Sequence, residues 1–211
     1  MVDWAREFAR IIQCQACSSA LDRSLLRDEL ENVPQPGWVG ANYESSRLLL
    51  VGQNPGTPKS LETADLPYTE ALRALAANPS NAQYVALADV LRSFIPQWPV
   101  HGSYFPLSEA NLTLEDIAYC NVVRCRTIAD TRPGVGTTCN CLTTHFTHWL
   151  ALLQPRAVVF IGKWASEHAA HVVAAAGIPH MFMNRQRSLA SNARAENRDE
   201  AIRFVRKHSA A

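Results

Sequence analysis

Apolar positions along the chain gather in short unbroken runs, separated by longer stretches with helical spacing. Four runs read as strands: Arg47–Gly52 (RLLLVG), Ala118–Val123 (AYCNVV), Ala157–Gly162 (AVVFIG) and Ile178–Met183 (IPHMFM). Nearly continuous apolar runs of this length mark strands buried on both faces of a parallel sheet. Apolar residues recurring at helical spacing predict helices over Trp4–Gln13, Thr69–Ala77, Ala82–Phe94, Thr144–Leu153, Trp164–Ala175 and Asn197–Lys207. Strand and helix alternate, so the expected fold is α/β: one three-layer α/β/α domain over residues 1–211 with a central, mainly parallel four-stranded sheet. Two stretches rich in Pro, Gly and aromatics, Pro34–Ser46 and Pro96–Glu109, read as long loops of the kind that often carry function.

Composition adds bounds. The chain has 211 residues, 47% of them hydrophobic, which suits a packed core rather than disorder. No apolar run approaches the roughly 20 residues of a membrane span. The opening MVDWAREFARII carries no signal-peptide pattern, so a cytoplasmic, monomeric protein without membrane contact is the expectation. Net charge is only +1, but it is unevenly spread. Residues 1–70 hold ten acidic and six basic side chains, whereas residues 184–207 hold seven basic and three acidic ones. A basic end of this kind fits a phosphate-facing side or a solvated amphipathic helix equally well.

Candidate chemistry starts where the first strand ends, in Gly52-Gln53-Asn54-Pro55-Gly56. Ligands of open α/β sheets bind beyond the carboxyl ends of the strands. Asn54 offers one amide oxygen and one NH2, suited to orienting a water or a polar substrate edge. Asn-Pro-Gly also makes a tight turn unaided. Asn121 is a second polar residue out of place, an amide inside an apolar run, where an unpaired group costs roughly 1–3 kcal/mol. It serves either a structural hydrogen bond or the reading of a base edge. Among six cysteines, the Cys14-x2-Cys17 pair has metal-ligand spacing. Cys125 and Cys141, separated by fifteen residues, complete a four-thiolate set suited to Zn2+ or an iron–sulfur cluster. Cys139 competes with Cys141, and Cys120 reads as a core thiol. No histidine falls in a catalytic pattern, and neither a Gly-rich phosphate loop nor a serine elbow is present.

Together these features resemble the uracil-DNA glycosylase superfamily, most closely its iron–sulfur branch (family four). That branch opens with CxxC followed by Leu and Arg, as in CQACSSALDR, Cys14 to Arg23. It continues through a strand into a G-x-x-P-G loop, here GQNPG, and an Arg-Pro-Phe step, here Leu66-Pro67-Tyr68. Its TNVVKCRP segment is matched by CNVVRCRT, Cys120 to Thr127. Two departures stand out. Gly-x-Asn-Pro is similar to the loop of the mismatch-specific and single-strand-selective branches, where the branch has Glu-Ala at the positions of Gln53 and Asn54. The final His-Pro-Ser loop is replaced by MNRQRSLAS, with Asn184 near the position of the His.

The resemblance implies a repair glycosylase that flips a deaminated base, foremost uracil, out of DNA and hydrolyses its N-glycosidic bond. The alternative is a member that binds damaged DNA without cleaving it. The resemblance further implies that Asn54 orients the hydrolytic water and that the Gln53 backbone contacts the base. Asn184 and Arg185 would meet the charge on the departing base. Tyr68, Asn121 and Gly52 would hold the base, and Lys163, Arg187 and Ser188 the DNA phosphates. Cys14, Cys17, Cys125 and Cys141 would ligate a [4Fe-4S] cluster, with Zn as the alternative.

Overall fold

The run RLLLVG forms strand β2, Leu48–Gly52, the middle strand of the sheet in the computed structural model. The structure describes residues 2–17, 22–26, 33–56, 66–95, 105–184 and 191–209. The other strands are β1 (Trp38–Val39), β3 (Ile117–Asn121), β4 (Ala157–Ile161) and β5 (His180–Met183), in the spatial order β1–β3–β2–β4–β5. β3, β2, β4 and β5 pair in parallel, whereas β1 joins β3 antiparallel. Every residue of β2 and β4 is buried, as their unbroken apolar sequence requires.

The α/β class therefore holds, with five strands rather than four. The added strand lies in the expected Pro34–Ser46 loop. Gly37 admits it: with φ +106°, its missing side chain lets the backbone pass where a Cβ would sit 2.1 Å from the Tyr119 carbonyl. Trp38 then anchors the edge, buried and donating through Nε1 to the Leu114 carbonyl at 2.8 Å.

The described residues fall into two compact units. The first draws on 1–36, 54–95 and 123–146, the second on 37–53, 96–122 and 147–211.

In the first unit, α1 (Trp4–Ile12) is capped by Asp3, whose carboxylate accepts from the Arg6 N–H at 3.1 Å. α1 buries Ala5, Phe8, Ala9, Ile11 and Ile12 against a pair of helices. That pair is α3 (Leu66–Ala77) and α4 (Asn81–Phe94), preceded in the chain by the four-residue turn α2 (Tyr43–Ser46). Phe8 meets Tyr84 of α4 edge to face at 5.2 Å. Farther along, Asp22–Leu26 runs beside Arg126–Ile128, bridged at Leu25 and Thr127. Thr144–Leu153 does not form one helix from its start: α5 (Val135–Cys141) leads into a π-helical stretch, Leu142–Phe146.

The second unit holds the whole sheet with α2, α6 (Thr147–Leu153), α7 (Lys163–Ala175) and α8 (Ser191–Ser209). α7 and α8 pack on β4 and β5. α8 is longer than the sequence predicts, because the charged run 194–200 gives its first turns no apolar stripe; the stripe begins at Ala201, Ile202 and Val205, all buried. Among the described residues, no helix is long and apolar enough to cross a membrane.

Candidate active site

Because β2 to β5 run parallel, their carboxyl ends share one edge of the sheet in the second unit. That edge carries Gly52 at the end of β2 and Gln53 after it, Asn121 at the end of β3, Lys163 beyond β4 and Asn184 beyond β5. Gly52 and Asn121 are register partners, and the Val122 N–H donates to the Gly52 carbonyl at 2.9 Å. The Asn121 side chain is 5% exposed, and its Oδ1 accepts from the Tyr119 hydroxyl at 2.9 Å. A Cβ on Gly52 would lie 2.3 Å from that Oδ1 and 2.9 Å from the hydroxyl. Glycine is what leaves room for the pair.

Lys163 is exposed and pairs with Glu167 at 3.3 Å, a surface contact that holds it only weakly. The Asn184 N–H donates to Asn197 Oδ1 of α8 at 2.8 Å, fixing the backbone that leads out of β5. Arg185, Arg187 and Ser188 lie outside the described residues.

In the first unit, Asn54 donates through Nδ2 to the Pro55 carbonyl and to Thr127 Oγ1, both at 3.1 Å. The Thr127 hydroxyl donates in turn to the Thr131 carbonyl at 2.6 Å. The loop that carries Thr131 is held in an uncommon conformation, with Ala129 and Asp130 at φ +51° and +55°. With both hydrogens of Nδ2 directed, the Asn54 side chain is left with its carbonyl oxygen to offer a ligand, an acceptor for a water.

Tyr68 is only 2% exposed, so its ring presents no open face. Burial pushes its phenol up, an effect partly opposed by the nearby Arg124 guanidinium. Arg124, itself buried, donates to the Pro36 carbonyl at 2.6 Å.

The cysteines divide by position on α5. Cys141 is buried beside Cys17 and Cys125, which are buried as well, while Cys139 is exposed. A hydrogen bond with Cys17 and burial both push the Cys141 thiol up, against the opposing Arg124 backbone N–H. Asn140 Nδ2 reaches Cys17 Sγ at 3.7 Å. Cys14 is partly exposed, and Cys120 is a buried residue of β3. Among the described residues, no group of three or more His, Cys, Asp or Glu side chains stands in an arrangement that could hold a metal ion. Cys17, Cys125 and Cys141, thiols from separate segments, are nonetheless brought to one buried place.

Tyr119 and Thr127 take part in these arrangements without having been singled out from sequence. Tyr119 had a signal: residues two apart on a strand share a face, so it stands beside Asn121.

An α/β sheet with amides at its carboxyl edge defines a ligand-binding class and no more. The model of the uracil DNA glycosylase superfamily matches residues 40–206, well over half of the chain. The chain belongs to that superfamily. Cys125 and Cys141 lie within the matched stretch, whereas Cys14 and Cys17 precede it. No curated protein sequence matches the chain.

Proposed function

We propose that the protein is a DNA glycosylase that hydrolyses the N-glycosidic bond of uracil or another deaminated base. The observation that carries this reading is the Asn54 amide, whose two N–H bonds to Pro55 and Thr127 leave its carbonyl oxygen as the group it can offer. An oxygen held in this way accepts a hydrogen from a water and turns the water's lone pair toward C1′. As the glycosidic bond loosens, its electron pair moves onto the base; the water's lone pair forms the new C1′–O bond, and the proton it loses is taken up, through solvent, by the departing base anion. Orientation of the water is the contribution asked of Asn54, and removing it converts a positioned step into a diffusional one.

Asn121 reads the base edge, and the Gln53 backbone contacts the base beside Gly52. Tyr68 supplies the stacking ring; because it is buried, taking up the base means displacing what covers it. Arg185, with Asn184 beside it, meets the negative charge on the departing base in place of the His that the chain lacks. Lys163, Arg187 and Ser188 hold phosphates. A four-thiolate centre held by Cys14, Cys17, Cys125 and Cys141 supplies a cross-link between the N-terminal segment and α5, and takes no part in the hydrolysis. Of the two candidates for it, a [4Fe-4S] cluster suits this all-thiolate set as Zn2+ does.

The second reading is a non-cleaving binder of damaged DNA, favoured by Asn184 in place of His. Single-turnover assays on single- and double-stranded oligonucleotides containing uracil, hypoxanthine or xanthine separate the two. Release of base by the wild type and its loss in Asn54→Ala support the hydrolase. Binding without release overturns it in favour of the binder.

A further inference from the structure

We infer that Tyr119 sets base specificity, by holding the Asn121 amide in the one orientation that reads a deaminated base. This rests on the glycosylase reading for its substrate, but on the strand end itself for its geometry. An asparagine amide has two faces of opposite sense, an acceptor oxygen and a donor nitrogen, and rotation by half a turn exchanges them. A base-reading Asn therefore needs a neighbour that fixes which is which.

Tyr119 is that neighbour. It stands two residues before Asn121 on the same face of β3, and its hydroxyl lies 2.9 Å from Oδ1. A phenol donates readily and accepts poorly, because its oxygen lone pair is delocalised into the ring. The favoured partner is thus the amide oxygen, and the nitrogen is turned away from Tyr119. Gly52 completes the device: any side chain there would strike both Oδ1 and the hydroxyl. The amide then presents its NH2 as a donor and the second lone pair of Oδ1 as an acceptor.

That pattern matches a carbonyl next to an N–H. Uracil presents it through O4 and N3–H, and hypoxanthine and xanthine through O6 and N1–H. Cytosine and adenine present the reverse, an amine next to a bare ring nitrogen, and would leave the buried amide facing like groups. Deamination of cytosine or adenine converts the second pattern into the first, while thymine and guanine present the first pattern already. With Tyr119 in place the site separates uracil from cytosine, and hypoxanthine from adenine, by one rule.

Removing the hydroxyl frees the amide to turn. In Tyr119→Phe, uracil release should slow by about tenfold relative to cytosine release, the size of one lost hydrogen bond. Melting temperature should fall by no more than the few degrees that one hydrogen bond is worth. The same shift should appear in binding to oligonucleotides carrying 2′-fluorinated, non-hydrolysable uridine or cytidine. Gly52→Ala, which displaces Oδ1, should narrow the same ratio and serves as the second variant. A uracil-to-cytosine ratio in Tyr119→Phe that stays within about twofold of wild type in both measurements overturns the inference. So does a wild type that binds uridine no better than cytidine. If the wild type releases no base yet loses its uridine preference in Tyr119→Phe, the hydrolase reading falls and the Tyr119 inference stands.

Discussion

The side-chain nitrogen of Asn54 lies 3.1 Å from Thr127 Oγ1, and the Thr127 hydroxyl points its hydrogen at the Thr131 carbonyl, 2.6 Å away. The direction of the second bond determines the first. With its hydrogen directed at Thr131, Thr127 offers Asn54 a lone pair, so nitrogen rather than oxygen faces it. Thr127→Val keeps the shape but removes the acceptor, and the amide is then free to turn. The single-turnover rate should fall by about tenfold to a hundredfold, with DNA affinity preserved, whereas Thr127→Ser should retain the rate. In an Asn54→Ala background, Thr127→Val should cost nothing further. An additive loss in the double variant would separate Thr127 from Asn54.

Tyr68 joins packing to stacking, and two substitutions divide them. Tyr68→Phe keeps the ring and removes a hydroxyl whose ionisation burial opposes, so fold and base release should both survive. Tyr68→Ala empties a fully enclosed ring site and should destabilise the protein by roughly 3–5 kcal/mol. Below the lowered melting temperature, base release should also drop by one to two orders of magnitude, corresponding to about 1–3 kcal/mol of lost stacking. Denaturant unfolding and single-turnover release check the two separately; full release by folded Tyr68→Ala would confine the ring to packing.

How far the sequence foretells this molecule depends on whether the signal is local. β2 and β4 were legible because burial on both faces leaves an unbroken apolar run. β1 was not, since Trp38–Val39 is too short to show a period and is held by contacts to residues far along the chain. β3 ends at Asn121 although the apolar run continues to Val123, because hydrophobicity continues where the chain has already left the ladder. The strand-end amides were legible as polar residues in apolar surroundings. Thr127 was not, because its bond to Asn54 spans 73 positions and leaves no trace in spacing. The choice between Cys139 and Cys141 is likewise a matter of helix face: two positions apart on α5, only one turns toward Cys17 and Cys125.

The cysteines give a prediction independent of activity. Protein purified without oxygen should contain metal, and elemental analysis should separate iron with sulfide from zinc. Cys17→Ser, Cys125→Ser and Cys141→Ser should each lower the metal content and the melting temperature. Cys139→Ser should change neither, because that thiol is exposed and turned away, and Cys120→Ser should keep the metal. Chelation should reproduce the loss of stability in the wild type. Metal retained in Cys141→Ser but lost in Cys139→Ser would reverse the assignment.

Asp22 makes stability depend on pH. Its Oδ1 accepts from the Ser24 N–H and hydroxyl at 2.9 and 2.5 Å, and its Oδ2 from the Gly134 N–H and Thr137 hydroxyl at 2.9 and 2.6 Å. The carboxylate thereby ties the segment after Cys17 to the start of α5. Burial alone would raise its pKa. The hydrogen bonds from Ser24, Thr137 and Gly134 outweigh burial and hold the carboxyl below its ordinary value of 3.8. A group with a lowered folded pKa favours folding fully above its unfolded pKa, and that stability is lost as pH falls through the folded value. The window therefore lies below about pH 4. At neutral pH, Asp22→Asn should cost roughly 1.5–3 kcal/mol, since an amide satisfies one pair of donors and opposes the other. As pH drops below about 4, the wild type should lose this advantage while the variant, with nothing to protonate there, does not. The gap between their urea-unfolding free energies should accordingly close toward acid pH. A gap that stays constant from neutral to acid pH would mean that the Asp22 charge is not what holds these two segments together.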